Sequence, residues 1–231
     1  MPEGTAKDKV RKPLRLGVLA SGRGSNLQVI IDAIEAGTLA AQIAVVISNK
    51  PDATALERTR RHGAPAVFLD PKPYAGKPEG RTEYDQLVLE ELRKHEVGLV
   101  LLAGYMRIVT SVLIAAFPNR MMNIHPSLLP AFPGLEVQKK ALEWGAKISG
   151  CTVHFVTEGV DEGPIVVQAA VPVLESDTPD TLAARILEEE HRIYPMAVQW
   201  FAEGRLRVSG RRVYLSAQSD TSSGTIASPR G

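Results

Sequence analysis

The chain has 231 residues, of which 44% are hydrophobic and 23% are charged, and its formal net charge is +1. This composition is typical of a globular protein with one large domain or two small ones. The single cysteine, Cys151, excludes an internal disulfide framework and indicates a reducing compartment. The longest apolar run, residues 97–104, is far shorter than the roughly 20 residues that span a bilayer, which excludes a membrane-spanning protein.

The two ends of the chain differ in composition from its body. Basic side chains are frequent in the first residues, whereas the last residues are rich in Ser, Thr and Gly. We predict a disordered basic tail over residues 1–13 and a second disordered tail over residues 216–231. The basic tail lacks the apolar stretch of a secretory signal, and the body lacks the basic stripe of a nucleic-acid binder. We therefore expect a cytoplasmic protein with no nucleic-acid or membrane partner.

In the first half of the body, short apolar runs alternate with segments of helical periodicity. Strands are predicted at residues 14–20, 43–47, 66–69 and 97–103. Helices are predicted over the apolar positions of 27–34, from the cap Asp52 to His62 with Gly63 as its left-handed stop, and over 81–95. This order predicts an α/β fold, whose twisted sheet is mostly parallel and carries helices on both faces.

The second half predicts an antiparallel addition to that sheet. Residues 151–156 and 165–173 are predicted to be neighbouring strands around a turn. A long helix is predicted over 178–203, and a small hairpin over 206–215. Residues 14–215 are therefore expected to form a single domain.

A glycine loop, Ser-Gly-Arg-Gly-Ser-Asn at 21–26, lies between the first strand and the first helix. In a parallel α/β sheet, backbone N–H groups at this place receive an anion. Ser25 is predicted to cap the helix, with Gln28 completing a capping box. A dinucleotide fingerprint is excluded because Leu27 occupies the third glycine position and no acid follows the second strand at 48–50. The loop indicates a monophosphate site, and the alternative is a tight, well-capped turn.

Asn123 and His125 stand two residues apart at the end of a predicted strand, in a stretch stiffened by prolines. Their side chains therefore point the same way, at the edge where parallel sheets keep their ligand sites. An amide donor beside an imidazole suits the stabilisation of an oxyanion and the transfer of a proton. A single histidine in such a place is more often structural, with its hydrogen bonds satisfied, and the neighbouring Asn123 and the rigid setting favour a functional role.

Asp161 opens the sequence Asp-Glu-Gly-Pro at 161–164, after the strand that carries His154. A carboxylate on this loop that reached an imidazole would favour its charged form and raise its pKa. We therefore expect Asp161 to keep His125 protonated or to orient it. The alternative is a plain turn, since Asp, Gly and Pro are turn residues.

Five motifs together resemble one enzyme family, over residues 14–208. They are SGRGSNL at 21–27, LAGYMR at 102–107, NIHPSLLP at 123–130, DEGP at 161–164 and EHRIYP at 190–195. The chain is similar in these to the phosphoribosylglycinamide formyltransferases of the formyltransferase superfamily. The resemblance implies a Rossmann-like formyltransferase fold, with a phosphate-binding half at 14–118 and a folate and catalytic half at 119–215.

The resemblance also implies the reaction and the roles of individual residues. The family moves a formyl group from 10-formyltetrahydrofolate to the amine of glycinamide ribonucleotide, by direct attack, in purine biosynthesis. Residues implied to hold the nucleotide are Gly24, Ser25, Asn26 and Glu190, although Leu187 puts in doubt a polar contact from that helix turn. Residues implied to bind the folate are Met106, Arg107, Ile108, Val109 and Asn123, with Arg81 reaching its tail. The implied catalytic residues are Asn123, His125 and Asp161, with His154 as a supporting neighbour.

Several alternatives remain at this point. A formyltetrahydrofolate hydrolase would be expected to carry a domain before the glycine loop, and a methionyl-tRNA formyltransferase an RNA-binding domain after the catalytic one. A sugar-nucleotide formyltransferase or a non-catalytic nucleotide-binding protein is less favoured. The five histidines are scattered without ligand spacing, so no metal is predicted. A monomer or a homodimer is expected, with small molecules as its substrates.

Overall fold

The computed structural model describes residues 12–217, so most of the two predicted tails lies outside the described residues. The strands are β1 (Leu14–Ala20), β2 (Ala41–Ser48), β3 (Ala66–Phe68), β4 (Leu99–Leu102), β5 (Met121–His125), β6 (Ile148–Phe155), β7 (Ile165–Pro172), β8 (Leu206–Ser209) and β9 (Arg212–Leu215). The α-helices are α1 (Ser25–Glu35), α2 (Thr54–Arg61), α3 (Gly80–Lys94), α4 (Ser111–Ala116), α5 (Val137–Glu143) and α6 (Pro179–Ala202). A short 3₁₀ helix spans Lys72–Tyr74. Among these elements, no helix is both long and apolar enough to cross a membrane.

One nine-stranded sheet runs through the described chain in the order β3-β2-β1-β4-β5-β6-β7-β9-β8. The first five strands pair in parallel, β6 is antiparallel to both β5 and β7, and β7 pairs in parallel with β9 of the antiparallel β8–β9 hairpin. The predicted α/β class, with its mostly parallel sheet and antiparallel C-terminal part, is confirmed. Apolar cores cover both faces, which explains why β4 is buried along its whole length.

Two predicted helix caps are wrong. Gly24, not Ser25, is the N-cap of α1, and no side chain caps this helix. Ser25 is already the first helical residue, while the Gln28 side chain donates to Asp32 and accepts from Arg58. Likewise, α2 has Ala53 as its N-cap and no side-chain cap, because Asp52 belongs to the turn before the helix and lies one residue too early.

Helix α6 is fixed against the middle of the sheet by a buried tyrosine. The hydroxyl of Tyr194 lies 3.1 Å from the carbonyl oxygen of Leu102 on β4 and 3.2 Å from that of Met122 on β5. This contact holds the preceding turn of α6, which carries Glu190, beside the carboxyl ends of the parallel strands. The glycine loop, the segment after β4 and the end of β5 meet at the same edge, where α/β sheets bind ligands.

Candidate functional site

The glycine loop is clamped by helix α2. The backbone N–H of Ala55 donates to the carbonyl of Gly22 (3.1 Å), and the Arg58 guanidinium donates to the carbonyl of Arg23 (2.9 Å). Gly24 has a φ of 69°, and a Cβ at this position would lie 2.8 Å from Ala55 Cβ and 2.9 Å from its Cα. Only glycine therefore fits here, and the free N–H groups of the first turn of α1 face the sheet edge.

Two buried polar side chains meet beside this loop although they are far apart in sequence. The amide of Asn26 donates to the carboxylate of Glu190 over 2.7 Å, while the other amide atom, Oδ1, is buried without a hydrogen-bond partner. Burial raises the pKa of Glu190, and the bond from Asn26 opposes that shift. Ser25 is partly buried, as is Leu187 one turn before Glu190, where no polar contact arises. The structure thus brings together the residues implied to hold the nucleotide.

His125 and Asp161 are in direct contact. His125 Nδ1 lies 3.3 Å from Asp161 Oδ2, and the two side chains are only 6% and 10% exposed. The other ring nitrogen, Nε2, lies 3.0 Å from the carbonyl oxygen of Phe132. Because a carbonyl only accepts, we assign a proton to Nε2, and Nδ1 therefore faces the carboxylate.

Asp161 is the centre of a wider polar cluster. Its carboxylate accepts from the backbone N–H of Gly134 (2.9 Å) and from the Asn123 amide (3.4 Å), and it lies 3.6 Å from His154 Nε2. Burial alone would raise the pKa of Asp161, but the contacts with His154, Gly134 and His125 together lower it. Asp161 is therefore ionised at neutral pH.

His154 supports this cluster from the neighbouring strand, where it pairs with Asn123 in the β5–β6 ladder. Its Nδ1 lies 3.0 Å from the carbonyl oxygen of Phe155, and its Nε2 lies 3.2 Å from the Asn123 amide nitrogen. A proton on Nδ1 leaves Nε2 to accept from Asn123, which fixes the direction of that amide. His154 thereby orients Asn123.

The charge of His125 is set by opposing effects. Burial lowers the pKa of His125 below its ordinary value, although the Phe132 carbonyl and the Asp161 carboxylate act in the opposite direction. The sequence-based expectation is that Asp161 keeps the imidazole protonated or orients it: the carboxylate does act to raise the pKa of His125 and touches its ring, but burial outweighs it, so the contact fits the orienting role. Spacing along the chain does not reveal the burial of the ring.

A cavity of about 550 Å³ opens on this cluster. Its lining includes the predicted residues Met106, Arg107, Ile108, Val109, Asn123, His125, His154 and Asp161. Arg81 lies elsewhere, on a second cavity of about 540 Å³ that shares Met106, Arg107 and Ile108 with the first. The sequence analysis missed the apolar wall formed by Leu135, Val137 and Val160, because no motif distinguishes these residues from ordinary loop and helix positions.

Neither a reactive thiol nor a metal-binding group is found among the described residues. The Cys151 thiol is buried, and burial raises its pKa to about 12, which leaves it a thiol rather than a nucleophilic thiolate. Within residues 12–217, no three His, Cys, Asp or Glu side chains are grouped so that they could hold a metal ion.

Comparison with known proteins agrees with this geometry. A sequence model of the formyl transferase family matches residues 14–198. The chain is 41% identical to the phosphoribosylglycinamide formyltransferase of Escherichia coli K12, over 89% of this chain and 95% of that protein. It is 57% identical to glycinamide ribonucleotide transformylase 1 of Symbiobacterium toebii, whose crystal structure superposes with a TM-score of 0.85 and covers 89% and 95% of the two chains. A formyltetrahydrofolate deformylase of Pseudomonas syringae is 28% identical, with a TM-score of 0.77 over 89% of this chain and 66% of that one.

Proposed function

Since the chain belongs to the formyl transferase family, and within it to the phosphoribosylglycinamide formyltransferases, we propose that it transfers the formyl group of 10-formyltetrahydrofolate to the amine of glycinamide ribonucleotide. The products are formylglycinamide ribonucleotide and tetrahydrofolate, and the step belongs to purine biosynthesis. The observation that carries this proposal is the hydrogen-bonded cluster of Asn123, His125 and Asp161 in the wall of an open cavity. The glycine loop lies at the same edge of the sheet.

The nucleotide phosphate binds at the glycine loop. Gly24, Ser25 and Asn26 begin helix α1, so their N–H groups and the helix dipole favour an anion there. Glu190, held by Asn26, faces the ribose or amine end of the substrate. The nucleotide therefore binds in one orientation, with its phosphate at the glycine loop and its ribose or amine end at the Glu190 carboxylate.

The folate occupies the cavity of about 550 Å³. Met106 and Ile108 are exposed at its rim, and Val109 is buried in its wall. These side chains supply apolar contacts to a flat ring, and Arg107 supplies a cation at the wall shared with the second cavity. Arg81, on the second cavity, is placed for the anionic tail of the same molecule.

The reaction begins when the substrate amine attacks the formyl carbon. The carbonyl oxygen becomes an alkoxide, and the Asn123 amide, oriented by His154, donates a hydrogen bond to it. A donor of this kind contributes about 2.7–4 kcal/mol to the stability of such a transition state. To do so, the amide exchanges its long 3.4 Å contact with Asp161 for the alkoxide, while the contact with His154 keeps it in place.

The proton that the amine loses passes to His125. This histidine is neutral at neutral pH, and its Nδ1 faces an ionised carboxylate. When Nδ1 takes up the proton, His125 becomes cationic and forms an ion pair with Asp161. The proton then moves to the folate nitrogen as the C–N bond to the formyl carbon breaks. No covalent intermediate with the protein is needed.

A transfer assay tests this function. Purified protein is given 10-formyltetrahydrofolate with and without glycinamide ribonucleotide, and both donor loss and formylated nucleotide are measured. We expect loss of the donor only when the nucleotide is present. Donor loss without nucleotide would instead identify a formyltetrahydrofolate hydrolase, the second candidate that the likeness to the Pseudomonas syringae deformylase favours.

A further inference from the structure

The segment between β4 and α4, residues 103–110, lines both cavities without regular secondary structure. Side chains of other elements hold it at two points. The N–H of Met106 donates to Ser21 Oγ over 2.8 Å, and the N–H of Thr110 donates to Asp85 Oδ2 over 2.6 Å. The shape of the folate-binding wall therefore depends on residues outside the cavity.

Asp85 and its neighbour Tyr84 lie on helix α3 beneath this segment. The hydroxyl of Tyr84 donates to the carbonyl of Leu69 over 3.0 Å, which fixes the ring. The guanidinium of Arg107 lies 4.3 Å from the centre of that ring, in a cation–π contact. Two consecutive residues of α3 thus hold both the middle and the end of the segment, and Arg107 itself lines both cavities.

The burial of Asp85 is unfavourable for folding. Asp85 is only 2% exposed. Within residues 12–217, no lysine or arginine nitrogen lies within 4 Å of its carboxylate. Burial raises the pKa of Asp85, and the Thr110 N–H, Arg107 and Arg81 offset this shift only in part. An amide could accept the same backbone bond at lower cost, so stability alone does not require a carboxylate here.

We propose that Asp85 is a positioning residue for the formyl donor: its carboxylate fixes the Thr110 amide at the end of segment 103–110, while its neighbour Tyr84 holds the Arg107 guanidinium beside the two cavities. Asp85 does not touch either substrate; it acts through the segment that does. This inference rests on the proposed function, because it assumes that the segment binds the folate.

The test compares Asp85→Asn with wild-type protein in steady-state kinetics, in calorimetric binding of 10-formyltetrahydrofolate, and in thermal unfolding. We expect the KM and Kd for the folate to rise about tenfold, since one charge-assisted contact is weakened. The KM for glycinamide ribonucleotide stays within about twofold, because the glycine loop has separate contacts. The melting temperature is unchanged or higher, since burial of the Asp85 carboxyl group opposes folding.

Glu91→Gln is the matched control, because Glu91 lies on the same helix but pairs with Lys94 and His95 away from the cavities. Its folate affinity should equal that of the wild type. An Asp85→Asn variant with unchanged folate affinity overturns the inference, as does one that unfolds or loses affinity for both substrates equally. A wild-type protein that transfers no formyl group and binds no folate overturns the proposed function as well, so the two failures are distinguishable.

Discussion

The glycine loop and the polar cluster serve the proposed function in opposite ways. At the loop, the backbone supplies the binding groups, and Gly24 matters for the Cβ that it lacks. At the cluster, Asn123, His125 and Asp161 matter for the nitrogen and oxygen atoms that they carry. The function of the loop therefore depends on the space around its backbone, whereas the function of the cluster depends on the protonation states of its side chains.

The electrostatics of the two regions differ for the same reason. Backbone N–H groups at the start of α1 carry fixed partial charges that no change of pH removes. His125 and Asp161 are buried, and their pKa values are set by the balance between burial and mutual contact. Changes to the loop should therefore appear mainly in the KM of the nucleotide, and changes to the cluster in kcat and its pH profile.

The largest effect is expected from His125→Ala. Loss of the proton acceptor should lower kcat by about 10²–10⁴-fold while the KM of the nucleotide stays nearly unchanged. Steady-state kinetics with both substrates, together with thermal unfolding, measure this. His62→Ala is the matched control, because His62 pairs with Glu35 and lines neither cavity. This variant should behave as the wild type. A His125→Ala variant with near-normal kcat would remove the proposed role.

Asp161→Asn should have a smaller effect, lowering kcat by about 10–100-fold. It should also change the dependence of kcat on pH. The ionised carboxylate acts to raise the pKa of His125, so its replacement by an amide lowers that pKa further. Because neutral His125 accepts the proton, the acid limb of the kcat profile should move to lower pH, by about one unit. Glu162→Gln, on the same loop, is the control and should leave the profile in place. An unmoved limb in Asp161→Asn would mean that the pair is not coupled.

The sequence was most informative where local pattern decides structure. The predicted bounds of the first strand, 14–20, match β1, and the glycine at position 24 was identified as part of an anion loop. The even alternation of side chains along a strand places Asn123 and His125 on one side of β5, as expected. These features depend on neighbours in the chain, which a sequence records directly.

Features that depend on distant contacts were harder to predict. The Asn26–Glu190 bond spans 164 positions, and Asp85 was overlooked because its partner is a backbone N–H that no motif encodes. The sequence suggested the effect of Asp161 on the pKa of His125, but not the burial of the ring, a property of the whole fold that outweighs it. Spacing along the chain can suggest which groups meet, but it does not measure how far they are removed from water.

The smallest of these effects is expected from Gly24→Ala, which tests whether the loop acts by shape alone. A side chain at a φ of 69° costs about 1–2 kcal/mol, and the new Cβ would press on Ala55. The loop or α2 must therefore shift, and we expect the KM of the nucleotide to rise about tenfold with kcat largely retained. At Gly22 a Cβ would meet no atom within 4 Å, so Gly22→Ala should raise that KM less. If Gly24→Ala instead lowers kcat and leaves KM unchanged, the loop takes part in the chemical step, and the contrast between a backbone site and a side-chain site no longer holds.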